Sequence, residues 1–223
     1  MFTPNALPPA LDSRLVQRLE QAEPATIGHF RNWGFMDPAI RAMQPDVRIA
    51  GPAVTVRAPG VDGTVVGYAL GQVRRGDVLV IDRCGDHRHA AFGGLVAYAC
   101  KVAGLAGVII DGVATDIGEV RKYGVPLWCR GLSPVTTKRI GLAGEFCVPV
   151  SCGGVDVRPG DVIIADECGI VVLDPKEAEA AAERAIGMQE AEVKSRARLD
   201  AGEKLPDISG ATKMLQEALA KQK

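Results

Sequence analysis

The sequence predicts a single α/β domain, and three observations carry that reading. Strand-sized apolar runs alternate with helix-patterned segments through the middle of the chain. Gly-Asp and Gly-Pro turns bound those runs at short intervals. From Pro175 onward the composition changes to one charged, Ala-rich helix over about residues 176–202. With 47% hydrophobic and 24% charged residues, the 223-residue chain is ordinary globular material.

The elements come in order along the chain. A helical N-terminal segment is expected over about residues 10–45; it opens on LDSRLVQRLEQA, with Leu11, Leu15, Val16 and Leu19 at helical spacing and Asp12 or Ser13 as cap. RIAGPAVTVRAP alternates as a strand, and GVDGTVVGYALG is short and helix-compatible. GDVLVIDRCG is a strand, AAFGGLVAYACKVAG a closely packed helix, LAGVIIDG a strand and DIGEVRKYGV a short helix. PLWCRGL, GEFCVPVSCGG and VDVRPGDVIIADECGIVVLD supply further strands. RRGDVLVIDRCG and RPGDVIIADECG echo each other, which marks two similarly placed strands rather than two domains.

Several function classes are disfavoured. The formal net charge is −1 with no block of five like charges, so nothing recommends nucleic acid as a partner. The apolar runs fall well short of the roughly 18 residues of a membrane span, and MFTPNALPPALDSRLVQRLE lacks the pattern of a signal peptide. A soluble, cytoplasmic protein is expected. The six cysteines (Cys84, Cys100, Cys129, Cys147, Cys152, Cys168) form no CxxC pair and read as reduced core residues, not zinc ligands.

The chemistry concentrates in VIIDGVATDIGEV. Asp116 and Glu119 have the spacing of a capping box, in which the Asp side chain caps its own helix and Glu119 reaches back. Asp111 and Asp116 also stand where a strand ends and a helix begins, a place where α/β folds gather ligands and where a hard cation takes one or two carboxylates. Upstream, FGGLVAYA puts two glycines at a helix start, whose free amides suit an anion. Both readings of the acids stay open on the residues alone.

GGLVAYACKVAGLAGVIIDGVATD and GVDVRPGDVIIADECGIVVL resemble the RraA-like family, and AGPAVTVRAP and RRGDVLVID are similar to its earlier segments. That family contains regulators of ribonuclease E activity and the class II 4-hydroxy-4-methyl-2-oxoglutarate / 4-carboxy-4-hydroxy-2-oxoadipate aldolases. Its aldolase branch carries a Gly, twenty residues, then Arg-Asp-x-x-Glu/Asp. Here Gly94 is followed by Thr115-Asp116-Ile117-Gly118-Glu119, so the arginine alone is replaced. The resemblance implies an α/β/β/α sandwich like a swivelling phosphohistidine domain, assembled as a homotrimer or a dimer of trimers. It implies Mg²⁺ or Mn²⁺ anchored by Asp116, and a pyruvoyl carboxylate on the amides of Gly93, Gly94, Leu95 and Val96 beside Thr115. It also implies a glutamate from a neighbouring chain's C-terminal helix, Glu192 or else Glu190.

The expected activity is a metal-dependent aldolase releasing pyruvate from 4-hydroxy-2-oxo acids, with oxaloacetate decarboxylation from the same enolate stabilisation. Thr115 leaves two rivals: a non-catalytic regulator, or a lyase for a different oxo acid. Arg83, Arg88, Arg121 and Arg130 are candidates to replace the arginine; each otherwise reads as a solvated surface residue. His87 and His89 are candidate proton-transfer groups. His29 is unassigned.

Overall fold

In a computed structural model, which describes residues 1–222, the chain builds four layers with three apolar seams between them. The first half contains β1 (Phe2–Pro4), α1 (Ser13–Leu19), α2 (Pro24–Gly28), β2 (Arg41–Ala42), β3 (Ile49–Arg57), α3 (Thr64–Leu70) and β4 (Val78–Asp82). Then come α4 (Gly94–Ala103), β5 (Gly107–Ala114), α5 (Ile117–Tyr123), β6 (Leu127–Leu132), β7 (Gly144–Phe146), β8 (Val150–Cys152) and β9 (Val155–Val157). The chain closes with β10 (Val162–Asp166), β11 (Gly169–Leu173), α6 (Pro175–Asp200), α7 (Leu205–Ile208) and α8 (Ala211–Ala220).

The main sheet runs β1-β7-β3-β4-β5-β6-β2, with β3, β4, β5 and β6 parallel. One seam joins this sheet to α3, α4 and α5 through Val54, Val66, Leu79, Ile81, Ala97, Ile110 and Val120. The opposite face packs Val80, Ile109 and Trp128 against Val150, Val157, Ile163 and Val172. The outer face of the β10–β11 hairpin then buries Ile164 and Val171 against Leu19, Ile27 and the alanines of α6. Those seams make an α/β/β/α sandwich in a single domain. Residues such as Val80 and Ile81 point to opposite faces of a strand covered on both sides, which is why these strands are apolar throughout.

β3 belongs to both sheets. Ile49–Pro52 pair antiparallel with β10, while Ala53–Arg57 pair parallel with β4. Gly51 lies at the crossing, where a Cβ would stand 2.3 Å from the Gly76 carbonyl.

The sequence echo has a physical origin. Asp77 accepts from the Arg74 amide at 2.8 Å, and Asp161 from the Arg158 amide at 2.7 Å. At the strand exits, Asp82 accepts from the Cys84 amide at 2.6 Å and Asp166 from the Cys168 amide at 2.8 Å. Each echo is thus a strand with an aspartate turn at both ends. These turns carry Cys84 and Cys168 to the surface, so only Cys100, Cys129, Cys147 and Cys152 are core cysteines. All six are free thiols.

The N-terminal region departs from a continuous helical segment. Helix occupies Ser13–Leu19 and Pro24–Gly28; beyond them the chain turns at Gly34, with φ of 83°, and pairs Arg41–Ala42 with β6. At the other end, α7 and α8 extend past α6 and bury no residue. No helix among the described residues is long and apolar enough to cross a membrane.

Where α6 begins, Asp174 caps it through the Lys176 amide at 2.8 Å, with Pro175 in the first turn. Asp174→Ala is expected to lower unfolding free energy by about 0.5–2 kcal/mol, read as an earlier urea midpoint at unchanged slope.

Candidate functional site

The site forms where α4 and α5 both begin at the carboxyl ends of parallel strands. β5 does not stop at Gly112: it bulges between Ile110 and Val113 and runs on to Ala114, carrying Thr115 and Asp116 to the start of α4. The Thr115 amide then donates to the Phe92 carbonyl at 2.8 Å, locking the two turns together.

Asp116 is not the cap of its own helix. Its φ of 52° and ψ of 39° put it in the left-handed region, and its side chain makes no bond to the α5 amides. The carboxylate instead turns across to α4, where Oδ2 accepts from the Gly94 amide at 3.0 Å. The capping-box reading therefore fails: α5 starts on the Asp116 backbone carbonyl, which accepts from the Glu119 and Val120 amides. Left-handed backbone costs on the order of 1 kcal/mol for a residue with a side chain. Asp is among the residues that tolerate it best.

The glycine pair makes this approach possible. A Cβ on Gly93 would stand 2.7 Å from Asp116 Oδ2 and 2.8 Å from Thr115 Cγ2. One on Gly94 would stand 1.6 Å from Glu119 Oε2. The twenty-residue spacing from Gly94 to Thr115 thus becomes direct contact of Gly93 and Gly94 with Thr115, Asp116 and Glu119. Among the described residues the amides of Leu95 and Val96 find no protein acceptor. They are the unsatisfied first-turn donors of a ten-residue helix.

These groups open on a cleft of about 590 Å³. Gly93, Gly94, Leu95, Val96, Thr115 and Asp116 line one side; Thr136, Thr137, Lys138 and Arg139 line another. The two cations were missed in the sequence, where the only signal was a Thr-Thr-Lys-Arg run between strands.

The other candidates are engaged elsewhere. Asp111 accepts from Arg130 Nε and from the Gly153 amide at 2.7 Å, and Arg130 also donates to Asp37 at 2.9 Å. Arg83 is fully buried, not solvated, and its guanidinium donates to the carbonyls of Ala58 and Gly60. Arg121 donates to the Met43 carbonyl at 3.0 Å. Arg88 and His87 are exposed on the loop before the cleft. Glu192 is exposed, pairs with Arg196 at 3.0 Å and borders a small cavity with His29; Glu190 is exposed on the same helix. Neither meets Asp116 within one chain.

The RraA-like family pattern, described as Aldolase/RraA, matches residues 25–172. The chain belongs to the RraA-like family. A Halalkalibacterium halodurans protein provisionally named 4-hydroxy-4-methyl-2-oxoglutarate aldolase is 37% identical over 134 residues, covering 60% of this chain and 63% of that protein. The match thus spans less than two thirds of that relative's length. The crystal structure of Streptomyces coelicolor RraAS2, described as an unusual member of the RNase ES inhibitor RraA family, superposes with a TM-score of 0.75 at 30% identity. It covers 84% of this chain and 98% of RraAS2. An uncharacterised Pseudomonas syringae protein superposes at 0.80 with 25% identity, over 94% of this chain and 98% of its own.

The loop that leads into the cleft is tied down by Asp86. Its carboxylate accepts from the amides of Arg88 at 2.8 Å and His89 at 3.0 Å, and from His89 Nδ1 at 2.8 Å. Partial burial alone would raise its pKa, but those bonds outweigh it and bring the group down to about 2. A depressed carboxyl stabilises the fold above its unfolded pKa near 4, and that contribution is lost as pH falls toward 2. Thermal melts are expected to show Asp86→Asn losing less stability than the native chain across that window.

Proposed function

We propose that this protein is a divalent-metal-dependent lyase that cleaves 4-hydroxy-2-oxo acids to release pyruvate, and that decarboxylates oxaloacetate by the same stabilisation of an enolate. The observation that carries this reading is the placement of the Asp116 carboxylate on the Gly94 amide, at the start of α4 and beside the unsatisfied Leu95 and Val96 amides. A carboxylate anchor and a set of anion-receiving donors share one cleft.

The donor set fits one kind of metal. Among the described residues no three His, Cys, Asp or Glu side chains converge, which argues against a closed zinc-type site. Asp116 is exposed, and among the described residues its Oδ1 has Thr115 Oγ1 as its one hydrogen-bond partner, at 3.4 Å. One carboxylate with an open face suits Mg²⁺ or Mn²⁺ held largely through water and substrate oxygens. Such an ion, when bound, supplies Lewis-acid polarisation of the 2-oxo group.

The chain's own groups do the rest. The Leu95 and Val96 amides receive the substrate carboxylate and keep it in line with the helix dipole, the Gly94 amide being taken up by Asp116. Gly94, by donating to Oδ2, holds Asp116 in its rotamer and leaves Oδ1 facing outward. Lys138 and Arg139 supply the positive charge that Thr115 does not, and they draw the far carboxylate of a diacid across the cleft. A charge-assisted hydrogen bond of this kind contributes about 1.5–3 kcal/mol.

Asp116→Asn separates this role from a structural one. The amide keeps an oxygen for the Gly94 donor and tolerates the left-handed backbone, so the melting temperature is expected to stay put. Mg²⁺- or Mn²⁺-stimulated pyruvate release from a panel of 4-hydroxy-2-oxo acids and oxaloacetate is expected to vanish. A native protein inert on the whole panel with both metals would favour the second reading, a non-catalytic RraA-like regulator, to which the loss of the motif arginine at Thr115 points.

The complete site is shared between copies in this reading. α6 packs on the β10–β11 hairpin, in the layer opposite α4, so a neighbour in a homotrimer, or a dimer of trimers, delivers Glu190 or Glu192 to the cleft. Light scattering at micromolar concentration is expected to give a trimer or hexamer; a monomer would exclude the shared site.

A further inference from the structure

The strap at residues 135–143, which bears Lys138 and Arg139, contributes little to any core yet is held by an unusually dense set of bonds. Ile140 and Leu142 are 45% and 63% exposed. On one side the Thr137 amide donates to the Ala90 carbonyl at 3.0 Å, and the Ala90 amide to Val135 at 2.8 Å. On the other, the Lys138 amide donates to Val61 at 2.8 Å and the Gly63 amide to the Lys138 carbonyl at 2.9 Å. The strap therefore lies between the turn that starts α3 and the segment that leads into Gly93.

Asp62, 3% exposed, gathers the strap residues just past the two cations. Its Oδ1 accepts from the Ile140 amide at 3.3 Å, from the Thr64 amide at 2.9 Å and from the Thr64 hydroxyl at 2.6 Å. Its Oδ2 accepts from the amides of Leu142 at 2.6 Å and Ala143 at 3.3 Å. The Gly141 amide completes the run on Thr64 Oγ1 at 3.0 Å. Four successive amides of the strap thus end on Asp62 or on the hydroxyl it orients.

We propose that Asp62 is the positioning residue of the cleft's cationic wall: by fixing residues 140–143 it sets where Lys138 and Arg139 stand opposite the α4 amides, and so how tightly the cleft holds a dianion. This rests on the reading of the cleft as an oxo-acid site. Burying a carboxylate is costly unless it is fully bonded, and the exposed strap returns no apolar burial to offset that cost. What the ordered strap does carry is two cations lining the cleft, and neither forms an ion pair among the described residues. Burial alone would raise the Asp62 pKa; the bonds from Thr64, Leu142 and Ile140 outweigh it, so the group stays ionised well below the usual carboxylate range.

The test is a mutant cycle on the full-length protein with Mg²⁺, reading KM and kcat for oxaloacetate and the Kd of oxalate by calorimetry. Asp62→Asn is expected to raise KM and Kd about tenfold with kcat nearly unchanged, and to do almost nothing in a Lys138→Ala/Arg139→Ala background. An equal rise in both backgrounds, a loss confined to kcat, or a lower melting temperature with unchanged Kd would each overturn the proposal. Thr64→Val, which removes only the shared hydroxyl, covers the case of an Asp62 variant that does not fold. It should give a smaller shift with the same dependence on the cations, and an unchanged Kd in folded Thr64→Val would count against Asp62. If no oxo acid is turned over, the oxalate cycle still judges Asp62 while the pyruvate panel judges the chemistry; native protein that binds no oxalate overturns the positioning role.

Discussion

The site depends on the absence of two side chains. At Gly93 a methyl group would collide with Asp116 and Thr115, and at Gly94 it would force the Glu119 carboxylate aside, so the start of α4 meets the start of α5 across bare backbone. That contact puts the Asp116 carboxylate on the Gly94 amide, beside the Leu95 and Val96 amides that a first helical turn leaves open. The left-handed backbone at Asp116 is what this geometry costs locally, and the bond to the Gly94 amide offsets part of it.

The layers behind the site keep those two helix starts in place. α4 and α5 lean on the same seam, through Ala97, Cys100 and Val120. Their strands are covered on the far side by the β8–β11 layer. Because β3 pairs with β4 over one half and with β10 over the other, the two sheets share a strand. At the carboxyl ends of the parallel strands, Arg57, Asp82 and Asp111 lie side by side in register.

Much of this was legible in the residues. Apolar runs marked β4, α4, β5 and α5, and the family resemblance assigned to one site Gly94 and Asp116, which the fold brings into contact. The repeated Gly-Asp turns were visible as an echo, although their effect of lifting Cys84 and Cys168 out of the core was not. The features that stayed hidden depend on long-range packing. Capping-box spacing cannot reveal that Asp116 takes a left-handed backbone and bonds another helix. Arg83 looks like any loop arginine until the carbonyls of Ala58 and Gly60 are folded around it. Lys138 and Arg139 reach the cleft on a strap tied to Val61, Asp62, Gly63 and Ala90, segments remote in the chain.

The outer part of α6 has a thermodynamic consequence of its own. Its last buried residue is Ala185, and its last tie to the body is Gln189, which bonds the Glu23 amide and the Gln21 carbonyl. Residues 190–200 continue as helix for about 16 Å at 1.5 Å per residue. This stretch propagates from a helix whose nucleus is already packed, so it bears no new nucleation cost, but it buries no residue of its own. Each turn of it adds backbone hydrogen bonds without apolar burial, so on heating this arm is expected to fray before the packed half of α6.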